Sequence, residues 1–381
     1  MSPIRVLIVE DSPVVQVILK RIFTASPDIE IVGTAPNGVT ALALLAKVKP
    51  DVICTDFHMA PMNGLEFTRE VMQQFPRPIL VISASVQAED TQNVFNLLEA
   101  GAIDVFPKPT TGLMADYDRV SQELIHKIKI LSGVKVFTRH SRPQPLPLPV
   151  SPSPQPLPVS PTPKPKAVSQ KERGVSRASQ LSFSSPSISV TPKTKAIKML
   201  AIGASTGGPQ ALHQILSQLP SKFPIPVICV QHISEGFLQG LVDWLALECN
   251  LPVKIAHLGE IPQPGVVYFP PERRHLELDK FGRFFYSATP PVSGHCPSVT
   301  ITFQSIANFY RAHCAGVLLT GMGRDGADGM LTIAQAGGVT IAQDEATSIV
   351  FGMPKEAIAL GAVQHILPIH AIVPLLLAKI M

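Results

Sequence analysis

Two stretches of the chain alternate short apolar runs with amphipathic segments, and a third stretch between them does neither. In the first, apolar runs at 5–9, 30–35, 52–55, 78–83 and 104–106 read as strands. Helical periodicity between and after them predicts helices at 13–25, 38–47, 64–74, 88–99 and 117–131. Five strands alternating with five helices predict a parallel sheet wrapped on both faces. The apolar runs IRVLIV and PILVI fit burial on both sides. The last stretch has the same grammar. It predicts strands at 198–204, 226–231, 253–256, 266–269, 316–320, 339–342 and 363–366. Helices fit at 208–218, 235–248, 297–311, 325–336, 355–360 and 369–379, with an antiparallel excursion at 275–287. This is a second α/β sheet, doubly wound and mostly parallel. No internal repeat is evident beyond the βα alternation.

From residue 143 to 165 proline recurs at every second or third position, which favours extended polyproline II because proline fixes φ and lacks an N–H. The following residues, to about 195, are rich in Ser, Lys and Pro, with too little apolar surface to offset their ordering entropy. The expected organisation is a first domain at 3–131, a Pro/Ser/Lys-rich linker at 132–196 and a second domain at 197–381. A ligand for an SH3-type module is the other reading of the proline run.

Composition supports two cores: of 381 residues, 45% are hydrophobic and 16% charged. No uninterrupted apolar run reaches the roughly 18 residues of a membrane span. The opening MSPIRVLIVED meets an acidic pair at once, unlike a secretory signal, so the expected location is the cytoplasm, without membrane insertion. Cys54, Cys229, Cys249, Cys296 and Cys314 form no CxxC pair and are odd in number, which predicts free, small apolar side chains. The pI near 8.8 raises the question of nucleic acid. Its source answers it. Between Arg139 and Lys198 stand ten Lys/Arg and one acid, Glu172, a balance of +9. With the whole chain at +4, the remainder is −5. The folded parts are mildly acidic and the second block offers no basic recognition helix, so a DNA-binding output is disfavoured.

Chemistry clusters at strand ends. Glu10 and Asp11 follow the first strand, Asp56 the third; Ser83 ends the fourth, and Lys108 lies just after the fifth. In a parallel sheet these ends share one edge, where ligands bind. Three carboxylates there repel one another unless a cation joins them, and hard oxygen donors suit Mg²⁺. A carboxylate attacking phosphorus gives an aspartyl phosphate. Lys108 and Ser83 are placed to hold the phosphoryl oxygens. Helix capping explains only Asp11-Ser12-Pro13.

The segments VEDSP, TDFHMAPMNGLE, VISAS and FPKP resemble the two-component receiver family across residues 3–130. The resemblance implies a flavodoxin-like five-stranded domain with Asp56 as phosphoacceptor. It also implies Mg²⁺ held by Asp11, Asp56 and the backbone of His58, with Glu10 nearby. The family usually has Pro four residues after the phosphoacceptor; here Ala60 stands there, followed by Pro61.

In AIGASTGGPQALHQIL, a strand, a glycine turn and a helix follow in order, with Ser205 in a G-x-S-x-G. Flanking glycines permit a tight turn that exposes the hydroxyl. Free N–H groups at the helix start, around Thr206 and Gly207, are oxyanion candidates. Such turns also bind nucleotide phosphates. That role needs no partners, yet His232 ends the strand PVICVQH and Asp325 follows AGVLLTGMGRDG. Serine needs an imidazole to take its proton, and the imidazole needs a carboxylate to fix its tautomer. His275 and His295 are expected to line the cleft. His213, His257, His313, His365 and His370 are assigned to surface or ordinary packing, and Trp244 to core or helix surface.

GASTGG, VQHIS, GMGRDGADGM and IAQDEATSIVFGMPKEAI resemble the catalytic domain of the chemotaxis protein-glutamate methylesterases over residues 197–381. The resemblance implies a triad of Ser205, His232 and Asp325 with no cofactor. It further implies hydrolysis of glutamate methyl esters, and deamidation of glutamines, on methyl-accepting chemoreceptors, with a chemotaxis histidine kinase as phosphodonor. Members often carry Asn or Arg near SGHCPSV and Asp where Thr300 stands. A receptor-binding response regulator without catalysis is the competing reading, and it needs no triad.

Overall fold

The computed structural model describes residues 2–83, 88–109, 114–136 and 196–381, with backbone alone at 88–93 and 114–116. The expected linker, 132–196, and its proline run fall almost wholly outside the described residues. The described parts of both flanking blocks form one compact unit.

In the first block, β1 (Ile4–Val9), α1 (Pro13–Thr24), β2 (Ile29–Ala35), α2 (Gly38–Val48) and β3 (Val52–Thr55) are followed by α3 (Gly64–Gln74), β4 (Ile79–Ser83), α4 (Ala88–Ala100), β5 (Asp104–Pro107) and α5 (Met114–Ser132). The strands form one parallel sheet in the order β2-β1-β3-β4-β5. Val6–Val9 of β1 are all buried because helices cover both faces: Leu7 and Val9 pack with Phe67, and Val6 and Ile8 with Phe23 and Leu124. Ser12 caps α1 with Pro13 in its first turn, and Asn63 and Glu66 form a reciprocal cap on α3.

The second block contains β6 (Met199–Ala204), α6 (Gly208–Leu216), β7 (Val227–Gln231), α7 (Leu238–Glu248), β8 (Val253–Ile255) and β9 (Val267–Phe269). The hairpin β10 (His275–Leu278) and β11 (Phe284–Ser287) precedes α8 (Val299–Tyr310) and a short 3-10 turn, Arg311–His313. Then come β12 (Cys314–Leu318), α9 (Ala327–Gln335), β13 (Val339–Gln343), α10 (Met353–Ala359), β14 (His365–Leu367) and α11 (Ile369–Ile380). Seven strands pair in the order β14-β13-β12-β6-β7-β9-β8, every pair parallel. The antiparallel excursion is the separate β10–β11 ribbon.

The chain leaves β6 toward β7 on one side and later returns to β12 on the other. The sheet therefore changes winding direction at β6, and a crevice opens above its carboxyl end. A continuous core joins the blocks: Phe95 of α4 stacks on Trp244 of α7 with ring centroids 5.2 Å apart. Gln210 Nε2 of α6 donates to the Ala102 carbonyl at 2.7 Å. Among the described residues, no helix is long and apolar enough to cross a membrane. The five cysteines are free.

Candidate active site and phosphoacceptor pocket

Ser205, His232 and Asp325 follow β6, β7 and β12, three neighbouring strands, so a shared edge brings them together. Ser205 sits in the turn from β6 into α6. Its N–H donates to the Thr320 carbonyl at 3.0 Å, and its carbonyl accepts from Gly208 N–H at 2.7 Å. Gly207 takes φ of +75° at the helix cap, a conformation that disfavours any side chain. Gly321 passes so close that a Cβ there would lie 2.7 Å from Ser205 Cβ. Among the described residues the N–H groups of Thr206 and Gly207 have no protein acceptor, as an oxyanion hole requires.

His232 Nε2 lies 2.8 Å from Asp325 Oδ2. Nε2 therefore carries the proton and Nδ1 the lone pair. Among the described residues His232 Nδ1 is buried without a protein partner, and the Ser205 hydroxyl makes no hydrogen bond. Asp325 is 2% exposed. Its Oδ1 accepts from Ser298 Oγ at 2.7 Å and from the N–H groups of Thr300 and Gly326, each at 3.0 Å. Its Oδ2 also accepts from Val299 N–H at 2.8 Å. Burial alone raises the pKa of this carboxyl, but the His232 hydrogen bond and charge, the Ser298 hydroxyl and the Thr300 N–H outweigh it. They hold it well below the usual carboxylate range. The Val299 and Thr300 donors are the free N–H groups of the α8 start, where the helix dipole also favours negative charge.

Residues beyond the expected three support this arrangement. Gln231, 4% exposed, donates from Nε2 to the carbonyls of Ser205 and His232, both at 2.8 Å. Thr320 Oγ1 donates to the Thr206 carbonyl at 3.0 Å. A glutamine closing the otherwise apolar run VICVQ is the sequence signal for the first. His295 stacks on His232 with centroids 3.7 Å apart and ring planes 5° from parallel. Burial, then the neighbouring His232 charge, lowers its pKa to about 4. His275, also expected in the cleft, is instead fully buried beneath it. Its Nδ1 accepts from Ser298 N–H at 3.1 Å, and its Nε2 faces the Pro290 carbonyl at 3.3 Å. The ring thus holds the residue that caps α8 and bonds Asp325. A cavity of about 560 Å³ opens onto His232 and His295. Its walls include Arg273, Glu235 and Cys296, with Arg119 and Glu123 of α5 from the first block.

At the first sheet's edge, Lys108 Nζ donates to Asp56 Oδ2 at 2.7 Å and to Glu10 Oε1 at 3.0 Å. Phe57 N–H donates to Asp56 Oδ1 at 2.7 Å. Ser83 is 4% exposed at the end of β4, and exposed His58 lies two residues beyond Asp56. In the loop that contains the Ala60–Pro61 step, Gly64 N–H donates to the Phe57 carbonyl at 2.9 Å. Burial raises the pKa of Glu10, the Asp56 charge adds to it, and Lys108 offsets only part. Burial likewise raises Asp56 against the pull of Lys108. Glu10, Asp11 and Asp56 hold carboxylate oxygens within 4.8 Å of one another, and among the described residues Glu10 Oε2 is buried without a partner. An all-oxygen, under-neutralised set of this kind fits a hard divalent cation such as Mg²⁺.

Residues 200–376 match the CheB methylesterase family model, and residues 6–114 match the response regulator receiver domain. The protein-glutamate methylesterase/protein-glutamine glutaminase 1 of Syntrophus aciditrophicus (strain SB) is 39% identical over 96% of this chain and 95% of its own length. The corresponding protein of Nitrosospira multiformis is 37% identical over 97% of this chain and 95% of its own. Among solved structures, the catalytic domain of Thermotoga maritima CheB methylesterase is 38% identical, with a TM-score of 0.47. That match covers 48% of this chain and 99% of the other.

Proposed function

Because this chain belongs to the CheB methylesterase family with an N-terminal receiver domain, we propose that it hydrolyses γ-methyl esters of glutamate on chemoreceptors and deamidates receptor glutamines, under control of Asp56 phosphorylation. The division we assign is a receiver at 3–131, a linker at 132–196 and the esterase at 197–381, acting in the cytoplasm.

Ser205 Oγ attacks the ester carbonyl carbon while His232 Nδ1 takes its proton. The oxyanion is held by the N–H groups of Thr206 and Gly207. Asp325 steadies the imidazolium through Nε2–H. Methanol, or ammonia from a glutamine, leaves with the proton from His232. Water then attacks the acyl-enzyme, His232 takes its proton, and Ser205 is regenerated as glutamate departs. The observation that carries this reading is the His232–Asp325 bond of 2.8 Å, with the free Nδ1 on the strand next to Ser205.

Asp56 is assigned as the phosphoacceptor, attacking the phosphorus of a histidine-kinase donor, with Lys108 and Ser83 holding phosphoryl oxygens. Asp11, Asp56 and the His58 backbone would hold Mg²⁺, with Glu10 alongside; when bound, the ion neutralises charge on the transferred group. Arg119 and Glu123 of α5 wall the cavity beside His232 and His295, which supports a receiver that obstructs receptor access until phosphorylated. A coupling of about 1–3 kcal/mol gives roughly 5–150-fold activation.

The test is methanol release from methylated receptor membranes, with and without a small phosphodonor and Mg²⁺. Ser205→Ala is expected to lose several orders of magnitude in rate, and Asp56→Asn to lose only the stimulation. Near-normal turnover by Ser205→Ala would reject Ser205 as the nucleophile, and no methanol release from the wild type would favour the receptor-binding reading.

A further inference from the structure

Outside the proposed triad and phosphoacceptor pocket, Glu99 of α4, His213 of α6 and Glu248 of α7 converge. Their ligand atoms all lie within 4.8 Å of one another, and His213 Nε2 stands 3.8 Å from Glu248 Oε2. Glu99 belongs to the receiver and the other two to the esterase, so the group straddles the seam between them.

The surroundings are built. The His213 ring lies against the Trp244 indole with centroids 4.9 Å apart, and Trp244 stacks on Phe95 across the seam. Glu99 and His213 line a cavity of about 410 Å³ together with Gln210 and Trp244. Trp244 is 1% exposed, yet among the described residues its Nε1 has no protein partner, and neither does buried Gln210 Oε1. Buried donors and acceptors are rarely left unmade, so this cavity is fitted for a polar guest.

One imidazole nitrogen and two carboxylate oxygens form a ligand set that Zn²⁺ takes, with water in the fourth place. Bonds of about 2.0–2.2 Å at tetrahedral angles set neighbouring ligands roughly 3.3–3.5 Å apart, so the His213–Glu248 pair has only a few tenths of an ångström to close. Mg²⁺ prefers oxygen ligands and retained waters, so the ion suited to the phosphoacceptor pocket does not suit this one.

We propose that Glu99, His213 and Glu248 form an interdomain site for Zn²⁺ or a similar transition ion, which ties α4 to the esterase. An ion bound only when the two parts are docked favours the docked arrangement. Zn²⁺ then lowers stimulation by phosphodonor; this consequence rests on the reading that docking restrains the esterase.

The experiment is calorimetric titration of the full chain with ZnCl₂ in excess Mg²⁺, comparing wild type with His213→Gln, Glu248→Gln and Glu99→Gln. Wild type is expected to bind one more Zn²⁺ than each variant and to gain thermal stability that the variants do not. Equal stoichiometry in wild type and His213→Gln would overturn the site. Loss in His213→Gln and Glu248→Gln but not in Glu99→Gln would overturn the bridge. In the second arm, Zn²⁺ reduces phosphodonor-stimulated methanol release several-fold in wild type and not in Glu99→Gln. Binding lost in all variants without that difference would sink the regulatory consequence and leave the metal site standing.

Discussion

Asp325→Asn separates the role of charge from that of shape. In the native site the carboxylate accepts five hydrogen bonds and donates none: three at Oδ1, from Ser298, Thr300 and Gly326, and two at Oδ2, from His232 and Val299. An amide has one oxygen, so its NH₂ must face either the first set or the second. Facing the first, it opposes two backbone N–H groups and a hydroxyl, which alone can turn to accept. Facing the second, it opposes Val299 N–H and forces His232 Nε2 to become the acceptor. His232 Nδ1 then carries the proton and cannot receive one from Ser205. A buried donor left unmade costs about 1–3 kcal/mol, so the first orientation, which strands two, should destabilise the fold by roughly 2–6 kcal/mol and the second, which strands one, by roughly 1–3 kcal/mol. The second orientation strands fewer donors and should prevail, with a wrong-tautomer penalty of about 10⁴ in kcat, equivalent to about 5.5 kcal/mol of barrier. Methanol release reads the rate, and urea unfolding of the same preparation reads the stability. Ser298→Ala is the control: it removes one donor and keeps the charge, so it should lose roughly tenfold or less in kcat. An Asp325→Asn enzyme that folds and turns over within tenfold of wild type would refute the tautomer argument.

Three further outcomes follow from the same geometry. Between pH 6.5 and about 4 the unfolded chain protonates His295 while the folded chain refuses, so stability should fall by roughly 3 kcal/mol as pH drops through that window. Depressed Asp325 extends the loss further into acid, since its contribution is present above the ordinary carboxylate pKa and disappears below it; His295→Gln should flatten only the upper part, and an unchanged slope in urea unfolding against pH would contradict the assignment. Gln231→Leu strips the Ser205 and His232 carbonyls of their shared donor and should lower kcat roughly 10–100-fold, on about 1–3 kcal/mol for two bonds, with KM little changed; a pure KM effect would argue against it. Phe95→Ala removes a fully buried ring from the seam, at about 3–5 kcal/mol, and should raise basal methanol release while shrinking the phosphodonor effect; an unchanged basal rate would count against restraint by docking.

The rim of the second sheet was legible because a parallel strand exposes its carboxyl end on one edge whatever its neighbours are. That rule places Ser205, His232 and Asp325 on a common side. It cannot make them adjacent, because the order β12-β6-β7 is set by packing between distant segments. Local periodicity also placed helix starts at 297 and 325, two residues before α8 and α9 begin. The displacement has one cause. Pro297 has no N–H, Ser298 caps α8, and the first N–H groups of that helix are spent on Asp325, which with Gly326 is thereby held outside α9. Thr300 serves the same construction by accepting Gly326 N–H at 2.7 Å on its hydroxyl. His275 was misplaced for a similar reason. It begins a strand of the β10–β11 ribbon, and which face of a two-stranded ribbon is buried depends on what packs against it, here the α8 start and its capping Ser298. The proposed triad is thus legible in residue type and strand end. The charge balance that makes it work resides in a helix terminus, whose position only the folded neighbourhood decides.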